Sequence, residues 1–160
     1  MTTFACISIR QSVLRQLQHY CCDKLPLESC GLLFGAQAVA GEAAGTPLIT
    51  RFVPIDNIAE DPKRRFVMQP QQLISALYNQ TRGGDDGDAL LGIAHAHPAG
   101  AAVPSREDLA SLWHTLPSHW ILSAAGHQEG SPPQLRAYRY SREGGDVIAQ
   151  PLVIRIVPGT

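Results

Sequence analysis

The stretch ALLGIAHAHPAGAAVPSRED, residues 89–108, decides how this chain is read. Its first nine residues, a short apolar run ending at His97, read as a strand. PAGAAVP (98–104) is a loop, and Ser105 opens a helix that runs to about His114. Strand, loop and helix start form one local unit, and the rest of the chain is arranged around it.

Upstream, LESCGLLFG (27–35) is an apolar run ending in Gly, the pattern of a buried strand. Before it, Val13, Leu14, Leu17 and Cys21 recur at helical spacing, which predicts an amphipathic helix over 12–24, closed by Pro26. Residues 4–9 and 47–55 read as strands, and the Ala/Gly-rich 36–46 as a hairpin or flexible loop. The polar stretch 56–65 is a loop holding Pro62; Leu73, Ile74, Leu77 and Tyr78 then mark a helix over 70–81, with Pro70 in its first turn. GGDDGD (83–88) is a turn-rich break, and QEGSPP (128–133) is a plain loop. Downstream, 119–124, 134–141 and 147–157 are strands. Strands alternate with helices first and cluster at the end, an order that fits an α/β domain with a mixed sheet flanked by helices. No repeat is visible, so residues 1–160 are read as a single domain.

Bulk properties narrow the function. With 44% hydrophobic and 17% charged residues, the 160-residue chain reads as globular. Thirteen Lys and Arg against fourteen Asp and Glu give a formal charge of -1, which offers no attraction to nucleic acid or an anionic membrane. MTTFACISIRQSVL lacks the basic segment and apolar run of a secretory signal, and no stretch approaches a bilayer-spanning length. Cys6, Cys21, Cys22 and Cys30 contain no C-x-x-C pair, so they read as reduced thiols of a cytoplasmic protein, not as disulfides or a structural zinc site.

The chemistry concentrates where the opening stretch places it. Alternate strand residues share a side, so His95 and His97 present their imidazoles together. A His-x-His pair alone is weak evidence for a metal, because two hydrogen-bonded polar residues at a strand end look the same. Asp108, on the first turn of the following helix, can swing back over the strand end. Three protein ligands leave the fourth tetrahedral position open for water, the pattern of a catalytic zinc. Asp108 is equally the third residue after an N-cap Ser105, which approximates a capping box. Both readings can hold at once. Glu28, distant in sequence, reads by itself as a solvated carboxylate at a helix–strand junction, although a carboxylate beside a zinc-bound water can move protons.

Taken together, ESCGLLFG around Glu28 and HAHPAGAAVPSRED, with His95, His97, Ser105 and Asp108, resemble the JAMM (MPN+) zinc metalloprotease family. That family's signature is a Glu, then His-x-His-Pro and, with seven residues between the second His and the Ser, Ser-x-x-Asp. A weaker match runs from Asn57 through Pro62 to Phe66, like a stretch of the small stand-alone bacterial members. The resemblance covers about residues 5–140. It implies an MPN-type, cytidine-deaminase-like fold and one catalytic zinc held by His95, His97 and Asp108. It further implies Glu28 as the proton-transferring base and Ser105 as donor to the oxyanion. One departure is Ala96, where the family usually has Ser or Thr; its side chain is expected to face away from the histidines, changing packing and not metal binding.

Family members are similar in hydrolysing the amide bond after the Gly-Gly tail of ubiquitin-like proteins. The small bacterial ones resemble processing enzymes for ubiquitin-fold sulfur carriers, so such a protein is the expected partner. Three other readings stand beside this one. Relatives lacking part of the metal set act as scaffolds, whereas this chain keeps all five residues. A nucleoside deaminase would show H-x-E and P-C-x-x-C, which do not occur here. A peptidase acting on small peptides is left open. Of the other marked residues, Cys30 reads as a small buried apolar residue and Trp113 and Trp120 as core. His19, His114, His119 and His127 read as surface or helix-end residues, and Asn57 as a turn former ahead of a residue that shapes the site.

Overall fold

A computed structural model describes residues 4–37, 46–82, 88–127 and 130–159. The chain runs β1 (Cys6–Arg10), α1 (Gln11–Asp23), β2 (Cys30–Ala36), β3 (Leu48–Ile55), α2 (Pro70–Arg82) and β4 (Ala89–His97). Then follow α3 (Arg106–Ala110), a 3-10 turn (Leu112–Thr115), β5 (Ser118–Ser123), β6 (Gln134–Glu143) and β7 (Asp146–Val157). Most of the expected hairpin or loop over 36–46 and the break over 83–88 lie outside the described residues, as do 128 and 129.

The strands are mixed and helices cover them, as expected for an α/β domain, but the sheet is not open. Its order β1-β3-β2-β4-β5-β6-β7 closes on itself, because β1 pairs in parallel with β7 as well as with β3. The pairing Cys6↔Val153 joins the two ends of the chain. Strand periodicity reports each segment's faces and carries no information about a partner so far away in sequence. Closure satisfies the backbone groups that two open edges would leave unpaired.

Each strand contributes to one cluster that includes Ile7, Leu33, Phe52, Leu91, Trp120, Ala137 and Leu152, which marks the barrel's inner side. Val13, Leu17 and Cys21 of α1, spaced by four, bury into it. The outer side of β2, β3 and β4 is covered by α2 and the 3-10 turn, through Leu32, Phe34, Ile55, Ile93, Ala76 and Trp113. The β2–β4 register decides which side the histidines take. Leu33 pairs with Gly92 but Phe34 pairs with Leu90, so β4 carries one extra residue at Leu91. Leu91 is buried in the inner cluster and Leu90 packs, partly buried, against the outer one; from Gly92 onward Ala94 and Ala96 face inward while Ile93, His95 and His97 face outward. Gly92 is needed there: a Cβ would meet the Ser118 carbonyl oxygen of β5 at 2.8 Å.

The expected helix from Ser105 to about His114 is a correction. It breaks at Ser111, whose extended backbone (φ -64°, ψ 149°) ends α3 and whose Oγ accepts from Trp113 N at 3.1 Å to start the 3-10 turn. A serine that caps a new turn outcompetes continuation of a short helix. His119 is also corrected, being only 4% exposed and stacked on Tyr140 with ring centroids 3.8 Å apart. His19 and His127 are exposed, as expected.

Candidate metal centre

The two histidines end β4, where the strand leaves the sheet. His95 Nε2 and His97 Nε2 lie 3.0 Å apart. Asp108, in the first turn of α3, reaches both: Oδ1 is 3.1 Å from His95 Nε2 and Oδ2 is 3.1 Å from His97 Nε2. Asp108 is held there by the capping box, since Ser105 Oγ accepts from Asp108 N at 3.1 Å and Ser105 N donates to Asp108 Oδ2 at 2.8 Å. The two sequence readings of Asp108 are therefore compatible: the cap fixes the carboxylate that faces the histidines.

His97 is oriented from behind. Its Nδ1 stands 2.8 Å from the Ala101 carbonyl, which can only accept, so Nδ1 carries a hydrogen; with an ion in place of the Nε2 proton, the neutral ring would present its Nε2 lone pair. Phe66 lies tilted over His95, with centroids 4.7 Å apart.

Glu28 stands just before β2, and its exposure of 7% rules out the solvated-carboxylate reading. Cys30 pairs with His95 and Ala96 N donates to Ser29 O at 3.0 Å, so continuing the ladder sets Glu28 opposite His97. Glu28, His95 and His97 each offer a ligating atom within 4.8 Å of the others. Burial pushes the Glu28 carboxyl up to about 7, partly opposed by the charge of His97. Burial also acts to raise Asp108, but hydrogen bonds from His95 and His97 outweigh it and hold that carboxyl well below its usual range.

The donor set is compatible with a metal ion. Ligands held at about 2.0–2.2 Å in tetrahedral geometry are separated by about 3.3–3.5 Å. His95 Nε2, His97 Nε2 and the two Asp108 oxygens, 3.0–3.1 Å apart, stand slightly closer than that spacing, so only a small outward shift would seat an ion among them. Two imidazoles and a carboxylate are also the ligand types that suit a catalytic divalent ion.

A cleft of about 370 Å³ opens over this group. Glu28, Ser105 and Asp108 line it, together with Arg64–Met68, Leu73 and Trp113. Ser105 is exposed at its wall; because its Oγ accepts from the helix backbone, its hydroxyl hydrogen is left to donate outward. Of the five expected site residues, Glu28, Ser105 and Asp108 line the cleft, and His95 and His97 meet Asp108 beside it. Trp113, read as core, packs against the outer cluster and also faces the cleft. Sequence reasoning gave Phe66 no role at the site and ranked a site-shaping Asn57 below a turn former; the weak Asn57–Pro62–Phe66 spacing was the available signal.

The family described as prokaryotic homologs of the JAB domain matches residues 10–141. The chain belongs to this family. Two relatives of this JAB-domain chain carry functional names. A desampylase of Haloferax volcanii is 28% identical over 99 residues, 62% of this chain and 64% of the relative. A probable TtuB-protein conjugate cleaving protease of Thermus thermophilus is 28% identical over 109 residues, 68% of this chain and 65% of the relative. In both cases the chain spans just under two thirds of the relative's length. Among solved structures, a Desulfitobacterium hafniense protein superposes with a TM-score of 0.72 at 24% identity, covering 95% of this chain and 94% of its own. A Salinibacter ruber protein gives 0.59 at 21% identity, covering 92% and 90%. These two show a shared fold alone.

Proposed function

We propose that this JAB-domain chain is a zinc-dependent peptidase or isopeptidase. Its reaction is hydrolysis of the amide bond after the C-terminal Gly-Gly of a ubiquitin-like protein, most suitably a sulfur carrier. The observation that carries this reading is the convergence of His95, His97 and Asp108 within 3.1 Å of one another, beside a buried Glu28. The names of the two relatives, one a desampylase and one a probable conjugate-cleaving protease, support the substrate class.

His95, His97 and Asp108 are the residues that would hold the ion, with the Glu28 carboxylate beside them. A bound zinc supplies a water acidified toward neutrality and a Lewis acid for the scissile carbonyl. Glu28 accepts the proton that the attacking water loses as its oxygen bonds to the carbonyl carbon. As the C–N bond breaks, Glu28 delivers that proton to the leaving nitrogen, so the products are a carboxylate and an amine. Ser105 donates its hydroxyl hydrogen to the carbonyl oxygen as charge builds there, an interaction worth about 3–4 kcal/mol in comparable oxyanion sites. An extended tail fits the cleft more readily than a folded segment, and glycines let its backbone approach the wall closely.

Among the described residues no helix is long and apolar enough to cross a membrane. All four cysteines are free, which suits the reducing cytoplasm.

The test is a sulfur-carrier protein extended past its Gly-Gly by a short peptide, incubated with the zinc-loaded chain and read by intact mass. The expected product ends at the second glycine. An unchanged mass, or cleavage elsewhere, would overturn the assignment.

A further inference from the structure

Glu28 stands two residues before the first β2–β4 pair, Cys30↔His95, and although Ala96 N still bonds Ser29 O, the N–H and C=O of Glu28 itself are not bonded to β4. Its two main-chain polar groups are instead taken by the loop 57–67. Glu28 N donates to Pro62 O at 2.7 Å, and Glu28 O accepts from Asn57 Nδ2 at 2.7 Å. Asn57 ties the loop itself as well. Its Nδ2 also donates to Arg65 O at 3.0 Å and approaches Pro62 O at 3.5 Å, while its Oδ1 accepts from Ala59 N and Val67 N, both at 3.0 Å. The amide's donor and acceptor capacity is filled, and exchanging its N and O would set two N–H groups against an NH2.

The loop so fastened carries two further site features. Phe66 lies against His95, and Arg64–Met68 form one wall of the cleft. A half-buried asparagine used only as a turn former would bond within its own turn, as it does to Ala59 N. Reaching across the chain to Glu28 O, 29 residues away, is a separate task.

We infer that Asn57 is a positioning residue for the hydrolysis proposed above: one amide holds the Glu28 backbone, and so the carboxylate, in register with the loop that walls the cleft. The inference rests on that reading of Glu28 as the base. Asn57 touches neither the ligating side chains nor the reacting atoms. Displacement of a catalytic group by about 1 Å costs on the order of 100-fold in rate.

Asn57→Asp separates this role from turn formation. The variant keeps the acceptor for Ala59 N and Val67 N, loses the donors, and sets a carboxylate against the Glu28 and Arg65 carbonyls. With a Gly-Gly-ended sulfur carrier carrying an amide-linked fluorophore, kcat is expected to fall about 100-fold. KM should stay within about threefold and bound zinc should match the wild type, because neither the cleft wall's composition nor the ligands change. Hydrogen exchange gives a readout independent of activity: the Glu28 amide should exchange at least about tenfold faster in Asn57→Asp, with Ile121 and Leu122 unchanged. A folded variant with wild-type kcat and wild-type Glu28 protection would overturn the inference. If the variant does not fold, the wild type decides. Equal protection of the Glu28, Ala59 and Val67 amides shows one unit, and Glu28 protected independently of the other two would overturn it. A wild type that binds zinc but cuts nothing would sink the proposed reaction, and the exchange comparison would still judge the Asn57 tie.

Discussion

Asp108 does two jobs with one carboxylate, and substitution can separate them. Asp108→Ala removes the contacts to His95 and His97 and also the capping contact from Ser105 N. Asp108→Asn removes the negative charge but retains an oxygen able to accept from Ser105 N. Loss of the cap alone costs about 1 kcal/mol. The metal term is larger. Four-ligand zinc sites bind with roughly 10–16 kcal/mol, hence roughly 2.5–4 kcal/mol per ligand and ~100- to 1000-fold in affinity for removing one. Competition with a chelating dye reads the metal term, and melting of the metal-free protein reads the cap. Both variants are expected to lose zinc affinity by at least about 100-fold and, having lost the charge that bonds the two histidines, to melt lower without metal, Asp108→Ala lower still by the cap's about 1 kcal/mol. Wild-type zinc affinity in Asp108→Ala would refute Asp108 as a ligand, and equal melting losses in the two variants would refute the capping argument.

Other predictions follow from burial and charge. Ala96 is fully buried on the inner side of β4, so Ala96→Ser should cost about 1–3 kcal/mol for a hydroxyl without a partner. Zinc affinity should be unchanged; loss of zinc would contradict the facing deduced for β4. Burial raises the Glu28 carboxyl from its ordinary 4.5 to about 7, so the metal-free folded state binds a proton that the unfolded chain releases. Stability of the metal-free protein should therefore fall as pH rises from about 4.5 to 7, and Glu28→Gln should remove that slope. A slope that persists in Glu28→Gln would assign it elsewhere. A cation beside Glu28 draws its pKa down, so the acid limb of kcat/KM for the zinc-loaded enzyme should have its midpoint below about 7. A midpoint above 7 would count against Glu28 as the base.

Much of this was legible in the sequence, for identifiable reasons. β4 and its histidines follow from alternation, which survives the bulge because that irregularity lies upstream of Gly92. Val13, Leu17 and Cys21 announced α1, since a helix buried on one face keeps its period. Ser105 and Asp108 announced the cap, because capping is local chemistry. Barrel closure was not legible: Cys6 and Val153 meet only through the whole fold. Nor was the burial of Glu28, whose neighbours Pro62 and Asn57 arrive on a loop with no periodicity. His119 read as a surface residue because its stacking partner Tyr140 lies on another strand.

The central claim, that Glu28 moves the proton at a zinc held by other residues, is tested most directly by the hydrolysis rate of zinc-loaded Glu28→Gln. The substrate is the amide-capped sulfur carrier, and bound zinc is measured in the same samples. The account predicts about one zinc per chain in variant and wild type alike, with the variant slower by about 100- to 10,000-fold. A variant that keeps its zinc and hydrolyses at the wild-type rate would contradict it.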